Sequence, residues 1–222
     1  MPREPQPLIR KRGFKDPEKY YIIACEGTLT EDVYFSDLRA SDLFNDSGLI
    51  DIIPIEHPKN IGTSPLELRT LIRTAKKDKN FRKNDEFWII SDRDDWATIH
   101  NINFDQFAEE CRKEQNTFWA LSNPCFEIWL LLHLKDISDY SNEERRKIFH
   151  NNKISNKKNY IDSVLANAIG NGRGYNKYPP KEFLMPNIKA AVRRAKALSK
   201  RRELYPHSLG TDVYKLVDKL IK

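Results

Sequence analysis

The chain has 222 residues, with 38 Lys or Arg against 32 Asp or Glu and a formal net charge of +6. Hydrophobic residues make up 39%, and no apolar run approaches the roughly 20 residues that a membrane-spanning helix needs. That length suits one domain, or one domain with an appendage. The positive surplus attracts polyanions without naming one.

The segment 1–19 is rich in Pro, Arg and Lys and has no apolar leader region, so a flexible basic tail is expected. The three cysteines, Cys25, Cys111 and Cys125, form no C-x-x-C pair. An odd, scattered set fits a reducing cytoplasm better than a disulfide framework.

Tyr20–Cys25 reads as a short buried strand. Val33, Tyr34 and Leu38 recur at helical spacing within Thr30–Leu43, with Thr30 as the expected N-cap. Leu49–Ile55 reads as a second strand. Ser64, Pro65 and Glu67 form a helix-start signature for a helix reaching about Lys77. Glu86–Ser91 is a third strand. Asn103–Glu114 is a helix with Phe104, Phe107, Ala108 and Cys111 on one face. Thr117–Leu121 is a fourth strand, and Phe126–Leu134 the helix after it. This alternation predicts an α/β domain with an open parallel sheet, over about 18–135. Beyond it, Asn142–His150, Lys158–Ile169, Asn187–Glu203 and Val213–Ile221 read as helices, and Gly170–Pro180 as a loop. This second part, 136–222, is either a small helical subdomain or a flank on the sheet.

Two apolar runs stop at acids: YYIIACEGTLTE (20–31) and WIISDRDDW (88–96). In an open parallel sheet, ligands gather where the strands end. Glu26 follows the first strand, Asp92, Asp94 and Asp95 the third, and Ser122 and Asn123 the fourth, with Glu127 just inside the next helix. Crowded carboxylates repel one another unless a cation neutralises them. Oxygen donors without His or Cys suit Mg²⁺ or Mn²⁺ rather than Zn²⁺. Taken singly, E-G is a weak signal and D-x-D is commonly a turn or cap. Their order along successive strand ends favours a site. Gly27 lets the backbone turn tightly beside Glu26.

The order strand, Glu-Gly, helix, strand, helix, strand, Asp-x-Asp resembles the Toprim fold. Three segments resemble the RloB family more closely: ACEGTLTEDVYF (24–35), SDRDD (91–95) and SNPCFEIWLLLH (122–133). DVYKLVDKL (212–220) resembles that family's ending, and RKRGFK (10–15) its basic start. The resemblance implies a Toprim-like, Mg- or Mn-dependent nuclease of phage-defence loci, often paired with an ABC-type ATPase. It places the catalytic roles on Glu26, Asp92 and Asp94. Glu31 corresponds to a second glutamate used near the first, and Ser122 and Glu127 are candidates for a second metal.

NIKAAVRRAKALSKRR (187–202) contains no acid. Lys189, Arg193, Lys196 and Lys200 recur along one helical face, a single-sign stripe that suits phosphate contact, with a solvated face as the plain alternative. In GNGRGYNKYPPK (170–181), Arg173 and Lys177 supply charge while Tyr175 and Tyr178 offer stacking surfaces; a surface loop is the plain reading. His133 is expected to be buried or capping, and Cys25 and Cys125 to be small buried hydrophobes. RRKIFH (145–150) has the R-x-x-x-x-H spacing of HEPN ribonucleases, with Arg146 where that motif keeps a polar residue. No G-x-x-x-x-G-K-[ST] is present, so ATP hydrolysis would fall to a partner. The expected function is metal-dependent phosphodiester hydrolysis on DNA or RNA. The opposing class is a non-catalytic module that binds nucleic acid or a partner.

Overall fold

The computed structural model describes residues 18–27, 29–45, 50–54, 63–77, 81–93, 96, 101–156, 158–170, 179–199 and 203–222. The expectations for the basic tail, for Asp94 and Asp95, for Arg173, Tyr175, Lys177 and Tyr178, and for Lys200 lie outside them.

The sheet is built from β1 (Lys19–Cys25), β2 (Ile50–Pro54), β3 (Glu86–Asp92), β4 (Thr117–Asn123) and a two-residue edge strand, β7 (Gly210–Thr211). Its order is β2-β1-β3-β4-β7, with the first four strands parallel and β7 antiparallel to β4. Strands β1, β3 and β4 are apolar almost without interruption because both faces are covered. Tyr21, Ile23, Cys25, Trp88, Ile90 and Ala120 point to one face. Ile22, Ala24, Phe87, Ile89, Trp119 and Leu121 point to the other.

Helix α1 (Thr30–Arg39) covers the first face through Tyr34, Phe35 and Leu38. Helices α2 (Pro65–Ala75) and α3 (Phe104–Lys113) cover the second through Leu68, Ile72, Phe104, Phe107 and Cys111. The Ser64 capping box forms as the sequence predicts: Glu67 N–H donates to Ser64 Oγ at 3.3 Å, and Ser64 N–H to Glu67 Oε2 at 3.0 Å. Asn103 caps α3 by accepting from Gln106 N–H at 3.0 Å. Arg69 and Arg73 on α2 grip Glu110 and Glu114 on α3, which fixes the two helices side by side.

The connection from β1 through α1 leads to β2 on one side. The chain then crosses back over β1 through α2 to reach β3 on the other. The strand order therefore reverses between β1 and β3, and their carboxyl ends open a crevice, the usual ligand position in such sheets.

Helix α4 (Glu127–Leu134) is buried on nearly every side, with Trp129 at 0% exposure. It packs against α6 (Tyr160–Ala168), α7 (Lys181–Leu184) and α8 (Ile188–Leu198). Helix α5 (Asn142–His150) and helix α9 (Val213–Leu220) complete this layer. Ile148, Leu165, Leu184, Val192, Leu216 and Leu220 join one cluster with the first face of the sheet. The C-terminal helices are thus a flank sharing the sheet's core. Helix α9 brings the chain's last residues beside the segment after α1, where Asn45 N–H donates to Leu220 O at 2.8 Å and Lys222 N–H to Leu43 O at 3.0 Å.

Three boundaries differ from the sequence expectation. Helix α1 ends at Arg39, and its N-cap is Leu29, which makes no side-chain cap. Thr30 lies inside the helix, and Ser41, Asp42 and Leu43 turn to the bridge between Phe44 and Ile221. A small hairpin, β5 (Lys153–Ser155) with β6 (Lys158–Asn159), precedes α6, so that helix begins at Tyr160. Helix α8 ends at Leu198, short of the predicted Glu203.

Candidate active site

Glu26 stands one residue past β1. Its backbone N–H donates to Ile90 O at 2.9 Å, so the pairing with β3 extends through it. Its carboxylate then reaches across the crevice. Oε2 accepts from the Asp92 backbone N–H at 3.0 Å, and Oε1 accepts from Trp96 Nε1 at 2.9 Å. Both oxygens are thereby oriented. Asp92 is the last residue of β3, and its Oδ1 is buried. The first and third strands thus bring the two leading candidates into direct contact.

Glu31, in the first turn of α1, folds back over the loop between β1 and α1. Its Oε1 accepts from Gly27 N–H at 3.2 Å. A Cβ on Gly27 would overlap the Glu31 carboxylate, so only glycine lets that side chain fold back over the loop as it does. The Glu31 side chain is only 4% exposed. Burial pushes its pKa from 4.5 up to about 7, and the charge of Glu127 at the start of α4 adds to the rise. Burial likewise keeps the Cys25 thiol well above its usual value, with the acids Glu31, Asp32 and Asp92 contributing. Glu31, Asp32, Asp92 and Glu127 therefore share one electrostatic neighbourhood at the carboxyl edge. Among the described residues, no three acids, histidines or cysteines stand close enough to hold a metal ion. Asp94 lies outside those residues.

The remaining rim residues hold the edge together. Ser122 Oγ bonds Thr211 Oγ1 at 2.9 Å, and Asn123 Nδ2 donates to Pro206 O at 3.1 Å. The Asn123–Pro124 peptide is cis. Arg93 N–H donates to Ser122 O at 2.8 Å and Pro124 O at 3.1 Å, while its Nη1 donates to His207 O at 3.1 Å. Ser122 and Asn123 thus dock the segment leading into β7, and their polar atoms serve that contact. Sequence reasoning misses Trp96 and Arg93, which orient Glu26 and the segment entering β7. The available signal was an aromatic and a cation inside an acid-rich strand end.

The first and third RloB-like segments meet in the core. Tyr34 packs edge-on against Phe126, Trp129 and His133. His133 is buried, and burial lowers its pKa to about 4. Its Nδ1 donates to Trp129 O at 2.9 Å, which leaves Nε2 to accept from the Tyr34 hydroxyl at 3.2 Å. His133 is therefore a neutral core residue, and Cys125 is buried nearby. Arg145 Nε donates to Tyr140 O at 2.7 Å and His150 is exposed, so the R-x-x-x-x-H pair is split between a backbone contact and solvent.

Lys189, Arg193 and Lys196 lie on α8, away from the β1–β3 crevice in the chain's packing order. They line a groove with Asp218, Ile221 and Lys222. The neighbouring Lys219 bonds Glu86, the first residue of β3, at 2.9 Å. Asp92 is the last residue of that strand, about 20 Å away at the usual rise per residue.

No helix among the described residues is long and apolar enough to cross a membrane. No curated protein and no solved structure matches the chain. The RloB-like protein family does, over residues 21–220, a span that holds all three motif segments and all of the sheet but the first two residues of β1. The chain therefore belongs to the RloB-like family.

Proposed function

We propose that this chain is a Mg²⁺- or Mn²⁺-dependent nuclease of Toprim-like type, acting in phage defence with an ATPase partner. The observation that carries the reading is the contact between Glu26 and Asp92 at the point where the strand order reverses. The donor set fits a hard cation: carboxylate oxygens, with the nearby Cys25 thiol held protonated. Oriented carboxylates of this kind are typical of metal ligands, whose outer hydrogen bonds fix their geometry. Glu26 and Asp92 would hold the ion, with Asp94 completing the set and Glu31 and Glu127 available beside it. A bound ion there would neutralise charge on the scissile phosphate and lower the pKa of its water.

The chain's own residues supply the rest. Trp96 and the Asp92 backbone keep Glu26 aimed into the crevice. Glu31, with a pKa of about 7, exchanges a proton near neutral pH, the range in which a general acid or base is most effective. The overall positive charge favours approach of a nucleic-acid substrate.

A second reading is a non-catalytic module. It is favoured by the lack of a three-acid cluster among the described residues and by the hydrogen bonds already made to both Glu26 oxygens. Cleavage assays separate the two. Purified protein, alone and with its native ATPase partner, is incubated with DNA and RNA in Mg²⁺, Mn²⁺ or EDTA. Metal-dependent cleavage abolished by Glu26→Gln and Asp92→Asn supports the nuclease. Cleavage unaffected by both substitutions, or none with the partner present, supports the module.

A further inference from the structure

The groove between α8 and the end of α9 shares no lining residue with the acidic edge. Its volume is about 490 Å³, within the usual range for ligand sites. Val192 and Ile221 form an apolar floor, and Lys189, Arg193, Lys196 and Lys222 rim it. Asp218 is the one acid in the lining, and Lys196 holds it at 2.8 Å. Lys189, Arg193 and Lys222 make no ion pair among the described residues. The Lys222 ammonium donates only to a backbone carbonyl, Asp42 O, at 3.1 Å. Among the lining side chains, four cations and one acid therefore surround an apolar strip.

We propose that this groove docks an acidic segment of a protein partner, with apolar side chains facing Val192 and Ile221 and carboxylates facing the rim. Charge complementarity selects the sign of the partner, and the floor selects its class. A phosphate backbone gains nothing by covering Val192 and Ile221. Among the described residues, the lining also has no aromatic ring for base stacking and no amide or hydroxyl side chain for reading base edges. Residues 1–17 of this chain carry Arg3, Arg10, Lys11, Arg12 and Lys15 against Glu4 and Asp16, so they are repelled rather than attracted. An amphipathic segment laid apolar face down is a common way of filling such a groove. Glu26, Glu31, Asp92 and Glu127 do not line the groove, so its occupant need not cover them.

The test uses the full chain and fluorescence anisotropy with three labelled probes. One is a short peptide with Leu at helical i, i+3 and i+4 spacing and Glu elsewhere. The second replaces each Leu by Ser at equal charge. The third is a single-stranded DNA oligonucleotide. The Leu/Glu peptide is expected to bind at least about tenfold tighter than the Ser/Glu peptide, the effect of burying one or two leucines. The double variant Lys189→Glu/Arg193→Glu, at two exposed positions, should weaken it about tenfold or more without moving the melting temperature. Ile221→Ser should weaken the Leu/Glu peptide and leave the Ser/Glu peptide unchanged. Equal binding of the two peptides would overturn the proposal. So would Leu/Glu binding that survives the charge reversal while oligonucleotide binding is lost, which would make the groove a nucleic-acid surface.

Discussion

Replacing Glu31 by Gln isolates the cost of burying an acid at the carboxyl edge. The Glu31 carboxyl has a folded pKa of about 7 against 4.5 for the free side chain. At about 1.4 kcal/mol per unit, ionising it in the fold costs ~3 kcal/mol. Because the folded value lies above the unfolded one, the folded chain keeps this proton longer. The group's stabilising contribution is therefore full below about pH 4.5 and is lost as pH rises through about 7. Gln keeps the shape and the acceptor for Gly27 N–H but never ionises. The melting temperatures of Glu31→Gln and wild type should nearly coincide at pH 5. At pH 8 the variant should melt higher by roughly 6–12 °C, using about 2–4 °C per kcal/mol for a chain of this size. The comparison is made in metal-free buffer by differential scanning calorimetry or circular dichroism. A gap that is the same at both pH values, or a variant less stable at pH 8, would show that the folded chain does not raise the Glu31 pKa.

Tyr34→Phe should cost about 1–2 kcal/mol, because it strands the buried Nε2 of His133 without its donor; chemical denaturation measures it. Glu86→Ala removes the carboxylate shared by Lys19, Lys219 and Trp88 Nε1, and should cost ~2–3 kcal/mol in the same assay. That is less than for a fully buried pair, since both lysines are partly exposed. Burial alone would raise the Glu86 carboxyl, but the bonds from Lys19 and Lys219 hold it below its usual value. Its contribution is therefore lost as pH falls through that depressed pKa, and the gap between Glu86→Ala and wild type should narrow in acid. Gly27→Ala should leave stability within about 1 kcal/mol, because the atom it displaces is the end of a flexible side chain. It should nonetheless move Glu31 off the loop, and lower metal-dependent activity more than it lowers melting temperature.

The parallel sheet was legible because strands buried on both faces are apolar throughout, and because Ser64-Pro65-x-Glu67 and Asn103 are local helix starts that need no tertiary help. The convergence of Glu26 and Asp92 followed from strand order, since both sit where a parallel strand ends. What the sequence hid depends on contacts made at a distance. Strand β7 is only two residues long and exists through pairing with Ser122 and Asn123. The buried state of Glu31 depends on a glycine four residues earlier and on Glu127 in a different helix. Trp96 matters through one hydrogen bond across the crevice. The basic face of α8 was visible as a stripe. The groove it forms with α9 was not, because that depends on how the two helices pack together.

The most direct test of the central claim is a Mn²⁺ titration followed by electron paramagnetic resonance, which reads the free ion as the protein takes it up. Saturable Mn²⁺ binding by the wild type, competed by Mg²⁺, is expected, with its loss in Glu26→Gln and in Asp92→Asn while the fold stays intact. A wild type that leaves the free-ion signal unchanged at millimolar Mn²⁺, or variants that bind as the wild type does, would contradict a metal site at the meeting point of β1 and β3.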